Sequence, residues 1–163
     1  MIIGVLSDTH GHVEFATRGI EALRKQDVQT VLHCGDIGST EIVELLDGFD
    51  AHFVFGNVDW DKDGLRAEIK ACGQQCHGEF GSLEVDSRQI ALLHSHDRSR
   101  FEETISGQSF DLVCYGHTHK AEKHKSGRTV VLNPGALYRA AFHSVAVVDL
   151  ESMSIEHITV GDD

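Results

Sequence analysis

Short apolar runs and helical periodicity take turns along the first third of the chain, which predicts a β-α-β-α-β start. Runs at Ile2 to Leu6, Thr30 to His33 and His52 to Phe55 have the length and apolar content of buried strands. Between the first two, Val13, Ala16, Ile20 and Leu23 recur at spacings of three and four, with Glu14, Arg18, Glu21 and Lys25 on the other side. That pattern predicts an amphipathic helix over Val13 to Lys25. A second helix is expected from Thr40 to Leu46, with Ser39 or Thr40 as its N-cap and Gly48 beyond its end. Strands joined by helices predict a parallel sheet.

Beyond residue 80 the pattern changes. SLEV, IALLH, DLVCY, TVVLN, SVAVVDL and SIEHITV read as successive strands, with Asp86-Ser87 and Ser126-Gly127 as turn signals. One short helix, about Arg100 to Ser106, precedes DLVCY, and the segment from Trp60 to Cys76 reads as a loop in which Trp60 serves as an anchor in preference to stacking on an aromatic group. The sum is two packed mixed sheets with helices outside.

With 163 residues, 40% hydrophobic content and one proline, the chain is expected to form a single domain over residues 1–163. The N-terminus lacks a basic region and Asp8 interrupts its apolar run, so it reads as a first strand and not as a signal peptide. No run approaches the roughly 20 apolar residues of a membrane span, and a soluble protein is expected. Cys34 and Cys114 lie in strand-like runs and Cys72 and Cys76 do not make a C-x-x-C pair. Reduced thiols are the preferred reading, over oxidation of Cys72 and Cys76 or metal binding with His77, and they suit a cytoplasm. The net charge of −12, without a basic stripe, argues against duplex nucleic acid but not against small anionic substrates.

Candidate chemistry sits where strand-like runs end. Asp8 and His10 occur in SDTH, Asp36 in CGDIG, Asn57 in GNVD, His94 in LLHSH, and His117 and His119 in YGHTH. Each cluster is common by chance, and their order carries the argument. Two carboxylates, one amide oxygen and four imidazoles complete two adjacent transition-metal sites if one aspartate is shared. Asp36 is the natural bridge, since a carboxylate offers two oxygens.

In the pattern D-x-H, G-D, G-N-x-D, H-x-H and G-H-x-H, the chain resembles the calcineurin-like metallophosphoesterase superfamily. The likeness runs from Ile2 to about Gly135 and is nearest to the small single-domain branch of prokaryotic phosphodiesterases and the phosphoesterase-like subunit of retromer. This resemblance implies a four-layer αββα sandwich of two mixed sheets. It also implies that Asp8, His10, Asp36 and His119 hold one metal, and that Asp36, Asn57, His94 and His117 hold the other. The expected activity is hydrolysis of a small phosphate diester by a hydroxide bridging two divalent ions. Manganese is the first choice for an N/O shell without thiolate, with Fe, Ni, Co or Zn as alternatives. A non-catalytic metal-binding scaffold resembling the retromer subunit is the other functional class, and an oligomer is left open.

Further residues flank these motifs. Asp59 reads either as orienting a ligand loop or as a turn cap, and His96 either as a substrate contact and proton donor or as a solvated histidine. Arg98, Arg100, Lys120 and Arg139 are read as surface charges before phosphate partners. His12 is placed at the mouth of the site, and His33, His52, His124 and His157 receive no metal role. Gly35, Gly56 and Gly116 are expected to let the chain turn beside the ligands. Asn133-Pro134-Gly135 matches a family turn, with Ala136 where a serine is usual. Many members carry histidine where Val58 stands in GNVD, and losing such a proton donor costs roughly 10² to 10⁴ in rate. Diesters and good leaving groups should suffer least, although His96 or His143 could stand in as the donor.

Overall fold

The computed structural model describes residues 1–161. Its first half runs β1 (Ile2–Leu6), α1 (Val13–Arg24), β2 (Thr30–His33), α2 (Thr40–Leu45), β3 (Asp50–Phe53), α3 (Lys62–Ala71) and β4 (Gln75–Cys76). The second half runs β5 (Phe80–Val85), β6 (Arg88–Leu93), α4 (Arg98–Ser106), β7 (Leu112–Cys114), β8 (Ala121–Ser126), β9 (Thr129–Pro134), β10 (His143–Asp149) and β11 (Ser154–Val160).

The expected parallel sheet forms from β1, β2, β3 and β4, each paired in parallel with the next. β10 adds antiparallel to β1 and β11 antiparallel to β10, which makes the sheet mixed, in the order β11-β10-β1-β2-β3-β4. The second sheet has the order β5-β6-β7-β9-β8, with parallel pairs at its centre and an antiparallel pair at each edge. Three packed cores separate four layers. Ile20, Leu23, Ile42 and Leu65 of the first three helices pack with Leu6, Val31 and Phe53 on one face of the first sheet. Ile3, Val5 and Leu32 meet Ile90, Leu92, Leu112 and Leu132 between the sheets. Phe101 and Ile105 of α4 cover Leu93, Val113 and Val131 on the outer face of the second sheet. The arrangement is an αββα sandwich.

Three segments depart from the sequence reading. Residues 60–76 are not a loop: α3 starts where the Asp61 side chain accepts the Gly64 N–H at 3.0 Å, and it buries Leu65 and Ile69. Gly64 and a dense run of charges masked it, although Leu65, Ile69 and Cys72 keep spacings of four and three. β8 has no apolar pattern because it is an exposed edge, and its lysines suit an edge that must not pair further. α4 begins two residues early because Asp97 accepts the Arg100 N–H. No helix among the described residues is long and apolar enough to cross a membrane.

Candidate metal centre

The motifs follow the carboxyl ends of five strands, β1, β2 and β3 in one sheet and β6 and β7 in the other. Main-chain bonds lace the first two loops together: Asp8 N–H to Gly35 O, His10 N–H to Asp36 O and Gly11 N–H to Ile37 O, at 3.0, 2.9 and 2.8 Å. Asp8, His10, Asp36, His117 and His119 all adopt left-handed backbone, with φ of 55°, 45°, 53°, 75° and 59°. Each such residue costs on the order of 1 kcal/mol, and strain gathered this way marks a site held for function.

The two aspartates are buried and divide their oxygens in the same way. Asp8 Oδ2 accepts from Ser7 Oγ at 2.6 Å and from the His117 N–H at 3.1 Å, and Asp36 Oδ1 accepts from the Val58 N–H at 3.0 Å. The remaining oxygens face three histidines. Asp8 Oδ1 lies 3.8 Å from His10 Nε2, 3.9 Å from His94 Nε2 and 3.2 Å from His119 Nε2. Asp36 Oδ2 lies 3.6 Å from His10 Nε2 and 3.1 Å from His94 Nε2. Two groups able to hold an ion emerge, Asp8-His10-His119 and Asp8-Asp36-His94.

Asp8 Oδ1, His10 Nε2 and His94 Nε2 are buried yet have no hydrogen-bond partner. Buried polar atoms are almost always paired, so three orphans in one cluster call for a cation. The imidazole tautomers agree. His94 Nδ1 lies 2.9 Å from Cys34 O and His119 Nδ1 lies 3.2 Å from Arg139 O, and a carbonyl can only accept. Each ring therefore donates from Nδ1 and turns an Nε2 lone pair inward, the usual orientation of a metal-ligating histidine. Burial alone would push the Asp8 carboxyl up, but His10 and His119 beside it hold it well below the usual carboxylate range. Asp36 is likewise held down against burial, by His94 and the Val58 N–H. Burial lowers His94, yet Asp36 and Asp8 raise it overall, and Asp8 raises His119. Acceptor oxygens facing imidazole Nε2 atoms that can give up a proton fit divalent cations. The thiols do not compete: Cys34 and Cys114 are pushed up by burial, Cys72 donates to Glu68, and all four cysteines are free.

The other sequence candidates lie around this floor. Asn57 is exposed, and His117 is exposed with its ring 5.2 Å from that of His94. His96 is exposed, 5.6 Å from the His94 ring. Buried Asp59 clamps two loops, accepting the Gly38 N–H at 3.0 Å and the Gly56 N–H at 2.8 Å. Gly35 does turn, with φ +96°, whereas Gly56 and Gly116 are needed for closeness. A Cβ on Gly56 would run into Asp36 Oδ1 and lie 2.5 Å from Asp36 N, and one on Gly116 would lie 2.7 Å from Asp8 Oδ2.

Arg98 pairs with Glu102 and Arg100 lies over Phe80, while Lys120 and Arg139 line a cavity beside His119. His12 packs on Tyr138 and Phe15. Trp60 is 85% exposed, so its indole does not anchor the loop as expected.

Two positioning residues escaped the sequence reading. Buried His33 accepts the Gly35 N–H at Nδ1, 3.2 Å, and so donates from Nε2 to Thr9 Oγ1 at 3.0 Å, which donates to Ile37 O at 2.9 Å. Burial lowers its pKa to about 3 and keeps this ring neutral. Its one signal was a histidine ending the short strand-like run TVLH. Asn133, read as part of a turn, donates to Gly116 O and Thr118 Oγ1 and so holds the GHTH loop.

The calcineurin-like phosphoesterase superfamily domain matches residues 1–153. Phosphodiesterase MJ0936 of Methanocaldococcus jannaschii is 29% identical over 165 residues, covering 98% of this chain and 99% of that protein. A solved structure of a novel archaeal phosphodiesterase superposes with a TM-score of 0.91 at 29% identity, over 98% of this chain and 99% of that one. Zinc-complexed Vps29 of Entamoeba histolytica shares the fold, with a TM-score of 0.67 at 19% identity over 99% of this chain and 100% of that one. Sandwich, motif order and family match agree: the chain belongs to the calcineurin-like phosphoesterase superfamily and is an enzyme of the metal-dependent phosphoesterase class.

Proposed function

We propose that the protein is a dinuclear, divalent-metal-dependent phosphodiesterase acting on a small phosphate diester. The observation that carries this reading is the set of unpartnered buried atoms, Asp8 Oδ1, His10 Nε2 and His94 Nε2, gathered around Asp36 Oδ2. Asp8, His10, Asp36 and His119 would hold one ion, and Asp36, Asn57, His94 and His117 the other. When bound, such ions neutralise phosphoryl oxygens and supply a water acidic enough to attack at neutral pH. We favour manganese among the first-row metals for this N/O set.

The chain's own residues supply the rest. Ser7, the His117 N–H and the Val58 N–H fix the two carboxylates so that one oxygen of each stays available. Cys34 and Arg139 carbonyls fix the imidazoles. Val58 brings no side-chain proton donor to the centre, which favours diesters and good leaving groups. His96, exposed at the rim, is the imidazole we assign to meet the leaving group. The relative named a phosphodiesterase supports the same substrate class. We read residues 1–163 as one domain, since the late strand β10 returns to pair with β1, and we place it in the cytoplasm on its free cysteines.

The full set of seven motif residues supports catalysis over a metal-binding scaffold, and turnover separates the two readings. The test is turnover of bis(p-nitrophenyl) phosphate and p-nitrophenyl phosphate by the manganese-loaded and chelator-stripped protein. Metal-dependent hydrolysis, faster on the diester, is expected. A metal-bound protein inert towards both would contradict the reading and favour the scaffold.

A further inference from the structure

A cavity of about 550 Å³ opens beside the centre, with His119 as one wall. Its volume suits a substrate arm the size of a nucleoside. Lys120 and Arg139 line it, and no aspartate or glutamate does. That composition stands out in a chain with 26 acidic and 14 basic residues. Over residues 112–148 the cations are Lys120, Lys123, Lys125, Arg128 and Arg139, against the single carboxylate Glu122, which Tyr115 engages. Among the described residues Lys120 and Arg139 form no ion pair.

The walls are fixed where they meet the centre. The Arg139 guanidinium lies 5.1 Å over the Tyr138 ring, and that ring lies 5.4 Å from the His10 ring. The Arg139 carbonyl takes the His119 Nδ1–H. His157 donates from Nε2 to Asn133 O at 2.8 Å, and Asn133 holds Thr118, which ties the far wall to the GHTH loop. A cationic cavity continuous with a phosphoryl centre, in an acidic protein, is suited to a charge on the substrate beyond the scissile phosphate. Phe142, 77% exposed and part of the lining, offers a face for a ring on the same arm.

We propose that this cavity is a subsite for a second phosphate carried on one ester arm of the substrate, recognised by Lys120 and Arg139. The proposal rests on the phosphodiesterase reading for its placement of the scissile phosphate, but its binding test does not.

Calorimetry on the metal-free protein with thymidine 3′,5′-bisphosphate and thymidine 5′-monophosphate isolates the second phosphate. Tighter binding of the bisphosphate by about tenfold is expected from two added charge-assisted contacts, and Lys120→Ala/Arg139→Ala should erase the difference. In the manganese-loaded protein, thymidine 5′-(p-nitrophenyl phosphate) with and without a 3′-phosphate carries the same scissile bond. The double variant should lower kcat/KM for the 3′-phosphorylated ester at least fivefold more than for the other, mainly through KM. Both side chains point from exposed positions, so folding should survive, and Arg139→Lys should restore part of the preference. Equal affinities for the two nucleotides, no measurable binding of the bisphosphate, or a preference that survives the double variant overturns the subsite. Preferential bisphosphate binding by a protein that hydrolyses neither ester supports the subsite and sinks the phosphodiesterase reading instead.

Discussion

The floor and the rim of the candidate centre are built differently. On the floor, Asp8, Asp36 and His94 are buried, and each has one polar atom tied to the chain and another left facing its neighbours. At the rim, Asn57, His117 and His96 are exposed, and the two imidazoles meet the floor only by ring contact with His94. Burial and these hydrogen bonds fix the floor side chains as part of the fold. On the proposed reading, the exposed rim side chains would pay ordering entropy on binding that the floor side chains have already lost. Removing Asp36, the floor residue assigned to both ions, should therefore damage both, and removing a rim residue only one.

The largest effect is expected from Asp36→Asn. Its Oδ2 serves both His10 and His94 sides, so metal content should fall at both positions and activity should drop to the level of the stripped protein. Elemental analysis beside the diester assay reads this directly. A variant holding two ions with near-native turnover would remove Asp36 from the centre of the account.

Rim changes should cost less and act singly. Asn57→Ala and His117→Ala should each weaken one ion by at least the roughly 10- to 100-fold that losing an outer partner costs, and Asn57→Ala, at an exposed position, should change stability by no more than about 0.5 kcal/mol. Competition titrations with a chromophoric chelator would resolve one weakened and one unchanged affinity. Equal weakening of both ions by either change would erase the distinction between floor and rim.

The smallest and most diagnostic effect is in the pH dependence. In the metal-free protein His94 and His119 are raised above the ordinary histidine range, so below those values each Nε2 carries a proton that a cation must displace. Asp8 and Asp36 are lowered and already ionised there. Affinity should thus rise with pH through neutrality, by about tenfold per unit for each proton displaced, and level off once both rings are neutral. His117 is lowered by partial burial and by His94, so His117→Ala should leave the slope intact while reducing the affinity. A pH-independent affinity, or a slope lost with His117, would contradict the assignment.

The same contrast explains what the sequence disclosed. Ligand order was legible because each motif must follow a strand, and strands β1, β2, β6 and β7 are plain apolar runs. Which ligands are buried was not legible, since SDTH and GNVD look alike as polar loops while Asp8 has no exposure and Asn57 is open to solvent. The supporting residues were hidden for a related reason. His33 and Asn133 act through partners distant in sequence, the Thr9 hydroxyl and the Gly116 carbonyl, and only the closed fold brings those together. Gly56 and Gly116 were flagged for turning, but what they provide is room for Asp36 and Asp8. In the scaffold, α3 and β8 were missed because one buries few apolar positions and the other buries none.

Anomalous diffraction from manganese-loaded crystals tests the central claim most directly, because it locates ions and ligands together. The account predicts two peaks about 3.5 to 4 Å apart, one bounded by Asp8, His10 and His119 and the other by Asp36 and His94, with Asn57 and His117 drawn in from the rim. A single peak at the floor, with Asn57 and His117 still in solvent, would contradict it.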